Sequence, residues 1–256
     1  MSARWIVTTS AKPSAALRER AQRVALRSHV PLAPRRGSLA SLLEAHGAAF
    51  AYVVTHANDR LDDGSAQLFV HPGLLHARLQ SGLQHPLVQA VTAGLPARRI
   101  IDGTLGLGID ALHLAEATGA HVLGIEQSPA VRSLCLEGLP RLAAEGWAGA
   151  RRVQAIGGLT HEVLRILPSD SADAVFLAPM FDAPAAAAPG WDLLRPLAYM
   201  APVDDATLQQ ALRVAPRVAV KLSPADAVPA CLADADIVRS KALRYAVLTR
   251  RDRAAG

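Results

Sequence analysis

Asp102-Gly103-Thr104-Leu105-Gly106-Leu107-Gly108-Ile109-Asp110 packs three glycines and two carboxylates into one short stretch, and Glu126 follows further along the chain. Glycine lets the backbone approach a ligand closely and take positive φ at little cost. An apolar run, Arg99 to Ile101, leads into the stretch, and an amphipathic run, Ala111 to Ala117, leads out. A second apolar run, Val122 to Ile125, ends on Glu126, whose carboxylate could accept both hydroxyls of a ribose. The order strand, glycine loop, helix, strand, acid predicts a site for a nucleotide-like cofactor at the carboxyl edge of a parallel sheet. The glycines lack the G-x-G-x-x-G spacing that seats a pyrophosphate over a helix N-terminus, which argues against a nicotinamide enzyme. Their D-x-T-x-G-x-G form is the one that S-adenosylmethionine (SAM) sites use. A tight turn without a ligand would account for the glycines but not for the spaced acid.

Ligands in such sheets bind outside the carboxyl ends of the strands. Besides the glycine loop, three further ends are candidates: Glu126-Gln127, then Ile156-Gly157-Gly158, where an adenine would pack, and Phe176 to Phe181. Lys221 ends another apolar run and could face the same cleft. In Ala178-Pro179-Met180-Phe181, a proline-fixed carbonyl could accept hydrogen bonds from a target amine, and an aromatic side chain could stack on a flipped base. Methyl transfer to an amine needs the nitrogen lone pair free and in line, so positioning is most of the catalysis. Many methyltransferases acting on exocyclic amines carry Asn or Asp at the first of these positions, whereas this chain carries Ala178.

The elements needed to place these residues are legible from periodicity. From Arg98 onward, strands are predicted at 99–102, 121–126, 152–156, 173–178, 217–221, 236–240 and 245–249, and helices at 109–118, 129–145, 160–167, 204–214 and 225–233. Strands separated by helices imply an α/β, doubly wound, Rossmann-like sheet, and the last two, joined by a short link, imply an antiparallel ending. Residues 1–95 read as a separate small α+β lobe in front of a cofactor-binding domain at 96–256. The lobe has a strand at 5–9, a helix from Ser14 to Arg27, a helix capped by Ser38, a strand from Phe50, a hairpin turning at Asp62-Asp63-Gly64, and helices near 73–80 and 86–93. Residues 183–189, rich in alanine and proline, read as a flap.

Hydrophobic residues make up 51% of the 256-residue chain, which is enough for a sizeable core. No apolar run approaches a membrane span. The first residues are too soon polar for a signal peptide, so a cytoplasmic location is expected. Cys135 and Cys231 stand apart and read as reduced core thiols. The nine histidines form no metal-ligand spacing, so no metal site is expected. The formal net charge is +5, and lysine occurs only at 12, 221 and 241. Arginine suits phosphate, so a nucleic-acid partner is expected, with Arg35, Arg36 and Arg78 as phosphate holders.

Asp102 to Asp110, Ala178 to Phe181 and Val218-Ala219-Val220-Lys221 together resemble the methyltransferase J family, whose best-known members methylate the N2 amine of a guanine in small-subunit ribosomal RNA. Ile6 to Ser10 and Phe69 to Pro72 resemble more closely an uncharacterised Gram-positive branch of the same superfamily. The resemblance implies a class I SAM-dependent methyltransferase acting on RNA. It puts SAM against Ile109-Asp110, Glu126-Gln127 and Gly157-Gly158, and the position of Ala178 at the methyl-transfer site. Three positions depart from the family pattern: Ile109 replaces an arginine, Gly157-Gly158 replace two serines, and Ala178 replaces an aspartate. Two other readings therefore stay open, a SAM-binding protein that has lost catalysis and serves RNA binding or assembly, and a methyltransferase for a small molecule.

Overall fold

The computed structural model describes residues 4–179, 191–194, 197, 203–224, 227–240 and 243–250. The expected flap at 183–189, together with Met180 and Phe181, lies outside the described residues.

The chain opens with a small four-stranded sheet in the order β1-β2-β3-β4. Strand β1 (Trp5–Thr9) pairs in parallel with β2 (Phe50–Val54), and β3 (Arg60–Asp62) and β4 (Gln67–Leu68) follow as an antiparallel hairpin. The crossover from β1 to β2 contains α1 (Ala15–Ser28) and α2 (Leu39–His46). Ser14 and Ser38 cap them, each accepting a backbone N–H three residues on, which satisfies donors that a helix start otherwise leaves open. Two further helices, α3 (Leu75–Leu79) and α4 (Pro86–Thr92), lead to the larger sheet. Proline at the first turn and the His85 ring, whose Nδ1 accepts from Leu87 N, start α4.

The larger sheet contains β5 (Arg99–Asp102), β6 (His121–Glu126), β7 (Val153–Gly157), β8 (Ala174–Leu177), β9 (Arg217–Leu222), β10 (Asp236–Arg239) and β11 (Arg244–Thr249). Their order is β10-β11-β9-β8-β5-β6-β7. The five strands β5 to β9 run parallel, and β11 is antiparallel to both β9 and β10, as the short link at 241–243 implies. The helices between them are α5 (Ile109–Thr118), α6 (Pro129–Ala144), α7 (Thr160–Ile166), α8 (Trp191–Leu194) and α9 (Asp205–Val214). Both faces of this sheet are covered, and successive residues show it: Ile100 and Phe176 join one core, Ile101 and Val175 the other. This is an α/β, doubly wound, Rossmann-like arrangement with an antiparallel ending.

Over the described residues 227–233, the helix expected at 225–233 is not formed. The described part carries only a short 3₁₀ turn, Ala230–Leu232. Pro229 has no N–H to donate and turns the residue before it away from helical angles.

The two sheets share one core. Val7, Phe50 and Tyr52 of the front sheet lie in the same hydrophobic cluster as Leu112, Leu134 and Phe176. Helix α4 packs on β8, β9 and β11. Val70 presses into the surface of α6 where Gly138 leaves room, a Cβ there standing only 2.6 Å from the valine Cβ.

Candidate functional site

The glycine loop folds by its own chemistry. Gly103 N donates to Phe176 O at 2.9 Å, pinning the end of β5 to β8. A Cβ on Gly103 would come within 2.5 Å of Leu177 Cδ2 and 2.7 Å of Thr160 Cγ2, so no side chain fits there. Gly106 and Gly108 have φ of +54° and +76°, and Gly108 starts α5 with no side-chain cap. Leu105 folds back over Gly124 of β6, and Cys135 Sγ supports the loop from below, donating to Gly106 O at 3.0 Å. Neither Cys135 nor Cys231 is in a disulfide, and Cys135 is buried.

Glu126 closes the loop from the next strand. Its Oε2 accepts from Gly106 N at 3.0 Å and its Oε1 from Ser128 N at 2.7 Å. Burial pushes this carboxyl up to about 7 against the pull of those N–H groups. Each oxygen retains lone-pair capacity for a ligand hydroxyl. Asp102 differs. Its Oδ1 accepts from Thr104 N at 2.9 Å, but its Oδ2 is buried with no hydrogen-bond partner. Burial raises it to about 7, and neighbouring Asp110 adds to the rise. An orphaned carboxylate oxygen beside a glycine loop fits a cationic or N–H-bearing ligand group, because buried polar atoms are otherwise almost always paired.

Asp110, on the first turn of α5, gathers two cations. Lys221 Nζ lies 2.7 Å from its Oδ2, and Arg78 Nη1 lies 3.0 Å from its Oδ1. Burial would raise this carboxyl, but Lys221 and Arg78 hold it down at about 2. Arg78, expected to hold phosphate, is thus an ion-pair partner inside the molecule. Arg35 donates through Nε to Gly37 O in its own loop at 3.3 Å, and Arg36 is exposed.

At the end of β8, Ala178 N donates to Thr104 Oγ1 at 2.6 Å, so the glycine loop and the Ala178-Pro179 turn form one unit. The β8–β9 register pairs Leu177 with Val220. Continued by one residue, it sets Ala178 beside Lys221. The structure therefore brings Asp102, Thr104, Asp110, Ala178 and Lys221 to one edge. Ile109 is half-buried and packs against the core, Pro179 and Gln127 are half-buried, and Met180 and Phe181 are outside the described residues.

Gly157 ends β7 beside Glu126 and Gly158 follows it, and here sequence reading missed a residue. A Cβ on Gly157 would fall 1.3 Å from Arg132 Nη1, so the guanidinium of Arg132, from α6, lies directly on this glycine. Arg132 also bears on the Glu126 carboxyl. The signal in the sequence was the glycine pair itself, which makes room where the resembling family carries serines. His113 was likewise missed. It is fully buried on α5, both ring nitrogens lack partners, and its ring meets that of His85 edge-on at 4.3 Å. Burial, His85 and Arg78 lower it to about 4, so it is neutral.

Among the described residues, no cluster of histidine, cysteine, aspartate or glutamate could hold a metal, and no helix is long and apolar enough to cross a membrane. The profile of a protein family described as “Putative SAM-dependent methyltransferase” matches residues 64–249. An uncharacterised protein of Bacillus subtilis, YpiP, is 30% identical over 220 residues, 82% of this chain and 85% of its own. Ribosomal RNA small subunit methyltransferase J of Thioalkalivibrio sulfidiphilus is 30% identical over 224 residues, 83% of this chain and 86% of its own. The namesake enzyme of Pseudomonas fluorescens reaches 35% identity over 162 residues, 60% of this chain and 62% of its own. A SAM-dependent methyltransferase of Neisseria gonorrhoeae shares the fold with a TM-score of 0.63 at 20% identity, covering 95% of each chain.

Proposed function

The chain belongs to the SAM-dependent methyltransferase family, and we propose that it methylates a nucleobase amine in RNA, with ribosomal RNA as the first substrate to try. SAM supplies an electrophilic methyl group when bound. Asp102, Gly103, Thr104, Gly106, Gly108, Asp110, Glu126, Gln127, Gly157 and Gly158 would hold it, with Ile109 as an apolar neighbour. The orphaned Asp102 Oδ2 and the glycine-only approach at Gly103 support that assignment.

The observation that carries the acceptor side is the union of Ala178 with the cofactor loop. Thr104 Oγ1 takes the Ala178 N–H, which fixes the peptide that runs into Pro179. In this reading the Ala178 carbonyl accepts a hydrogen bond from the target amine, leaving the nitrogen lone pair free for attack, and Pro179, Met180 and Phe181 shape the pocket. Lys221, beside Ala178, is neutralised by Asp110 rather than by an aspartate at 178. End-to-end similarity to a ribosomal RNA methyltransferase supports RNA as the substrate class.

The alanine itself favours a second reading, a protein that binds SAM without transferring the methyl group, or one that methylates a small molecule. A tritiated-methyl assay on ribosomal and transfer RNA, run with the wild type and Ala178→Asp, separates them. Label in RNA from the wild type supports the first reading. Label only with Ala178→Asp supports lost catalysis. Label in neither RNA, with micromolar SAM binding retained, leaves the small-molecule reading.

A further inference from the structure

A cleft with a charged rim lies at the opposite edge of the large sheet, where β5, β6 and β7 begin. It has a volume of about 330 Å³. Arg99, His121, Arg151 and Arg152 line it, all of them exposed. Among the described residues none of these three arginines forms an ion pair. The nearby carboxylate of Asp173 is spent on backbone, its Oδ2 accepting from Arg98 N and Arg99 N at 2.7 and 2.8 Å. Ser171 also lines the cleft, and its hydroxyl oxygen is buried without a hydrogen-bond partner. The floor is apolar, with Leu123 and Leu167 packed against the core beneath.

Unneutralised guanidinium groups around a pocket select an anion, and Arg forks fit phosphate in particular. The orphaned hydroxyl adds a donor for a phosphate oxygen. The size is near the lower bound for small-ligand clefts, room for one nucleotide-sized group rather than a large cofactor. We propose that this cleft is a phosphate-anchoring site for the RNA substrate, gripping a nucleotide remote from the one that is methylated. The inference rests on the RNA reading above and deepens it. The cleft and the glycine loop sit at opposite ends of the four-residue β5, about 10 Å apart at about 3.3 Å per residue, and Glu126 lies about 17 Å from His121 along the six-residue β6. A small substrate cannot touch both ends, whereas a folded RNA spans those distances.

The test uses Arg99→Glu/Arg152→Glu and Ser171→Ala in the full chain, with a labelled single-stranded RNA oligonucleotide and uridine monophosphate as probes. Unchanged SAM affinity and unchanged thermal unfolding show that each variant is folded. For the double variant, RNA affinity is expected to fall on the order of tenfold or more, and the slope of log K against log salt to flatten by about 0.7 for each phosphate that is no longer neutralised. Ser171→Ala, which keeps all the charges, is expected to weaken RNA severalfold with the salt slope unchanged. A wild type that binds and methylates RNA, beside a double variant with the same affinity and slope, overturns the anchoring site and leaves the RNA reading standing. A wild type that neither binds nor methylates RNA overturns both. Loss of uridine monophosphate binding in the double variant would then assign the cleft to a free nucleotide instead.

Discussion

Asp102 is a carboxyl at about 7 with one oxygen unpartnered, and its proposed place in the cofactor site would make SAM binding a proton-linked event. Near neutral pH the free protein holds a proton there much of the time. A cationic group brought to Oδ2 favours the ionised form and expels that proton. SAM binding is therefore expected to release protons near pH 7 and to tighten as pH rises through that value. Calorimetry in buffers of different ionisation heat measures the release directly, and a binding enthalpy independent of buffer would remove Asp102 from the cofactor site. Arg132 supplies a second prediction at this scale. Its guanidinium occupies the space over Gly157, beside the expected ribose carboxylate, and can present its plane to an adenine. Gly157→Ser must displace it, and Arg132→Ala deletes it. Each change is expected to weaken SAM by about 1 kcal/mol, the scale of a partly exposed cation–π interaction. The double variant should lose no more than either single one, since all three remove the same interaction. Additive losses would mean that Arg132 and the nucleoside do not meet.

Among the elements, α5 carries the heaviest load, because its first turn holds Asp110 and its middle buries His113. The histidine has an ordinary value near 6.5 and is held at about 4 in the fold. Its neutral form is fully accommodated above 6.5, and as pH falls from 6.5 to 4 the unfolded chain takes up a proton that the folded chain refuses, so stability is lost across that window. Asp102 and Glu126, both raised, act in the opposite direction below pH 7, so the informative quantity is the difference between variants. His113→Leu is expected to unfold at equal or higher denaturant than the wild type at pH 7, since it removes two unsatisfied nitrogens from the core, and to widen its advantage toward pH 4. Equal midpoints at both pH values would mean that water or a ligand satisfies the ring. The same helix shows what a sequence discloses. The strand–glycine loop–helix–strand–acid order is local and can be read residue by residue, and Ser14, Ser38 and the Asp62–Gly64 turn mark element boundaries just as locally. Arg78–Asp110, Arg132–Gly157 and His85–His113 join residues far apart in the chain, and no spacing rule reaches across such distances. Over the described residues 227–233 the expected helix fails for a local reason, since Pro229 outweighed an otherwise helical composition.

On the scale of the whole molecule, the question is whether the front lobe stands apart from the cofactor domain. Composition suggests a boundary near residue 95, and the two sheets fall on either side of it. Energetically the division is less clean. Helix α4, before that boundary, covers β8, β9 and β11. Tyr52 of the front sheet donates to Ser133 O of α6 at 3.2 Å, and Ser28 meets Ser133 at 3.1 Å, both in buried surroundings. Arg27 adds an ion pair to Glu137 at 3.2 Å. Cutting at 95 would uncover α5 and α6 along Leu112 and Leu134, with each large apolar side chain losing about 1.5–3 kcal/mol of burial. A handful of such losses is comparable to the whole stability of an ordinary domain. A fragment of residues 96–256 is therefore expected to lack cooperative unfolding and to bind apolar dyes, while the intact chain melts in one transition by calorimetry and by circular dichroism. Two separate transitions in the intact chain, or a fragment that binds SAM with native affinity, would make the front lobe an independent module. A single transition would instead make the front lobe and the cofactor domain one folding unit, with the Arg78–Asp110 ion pair inside it.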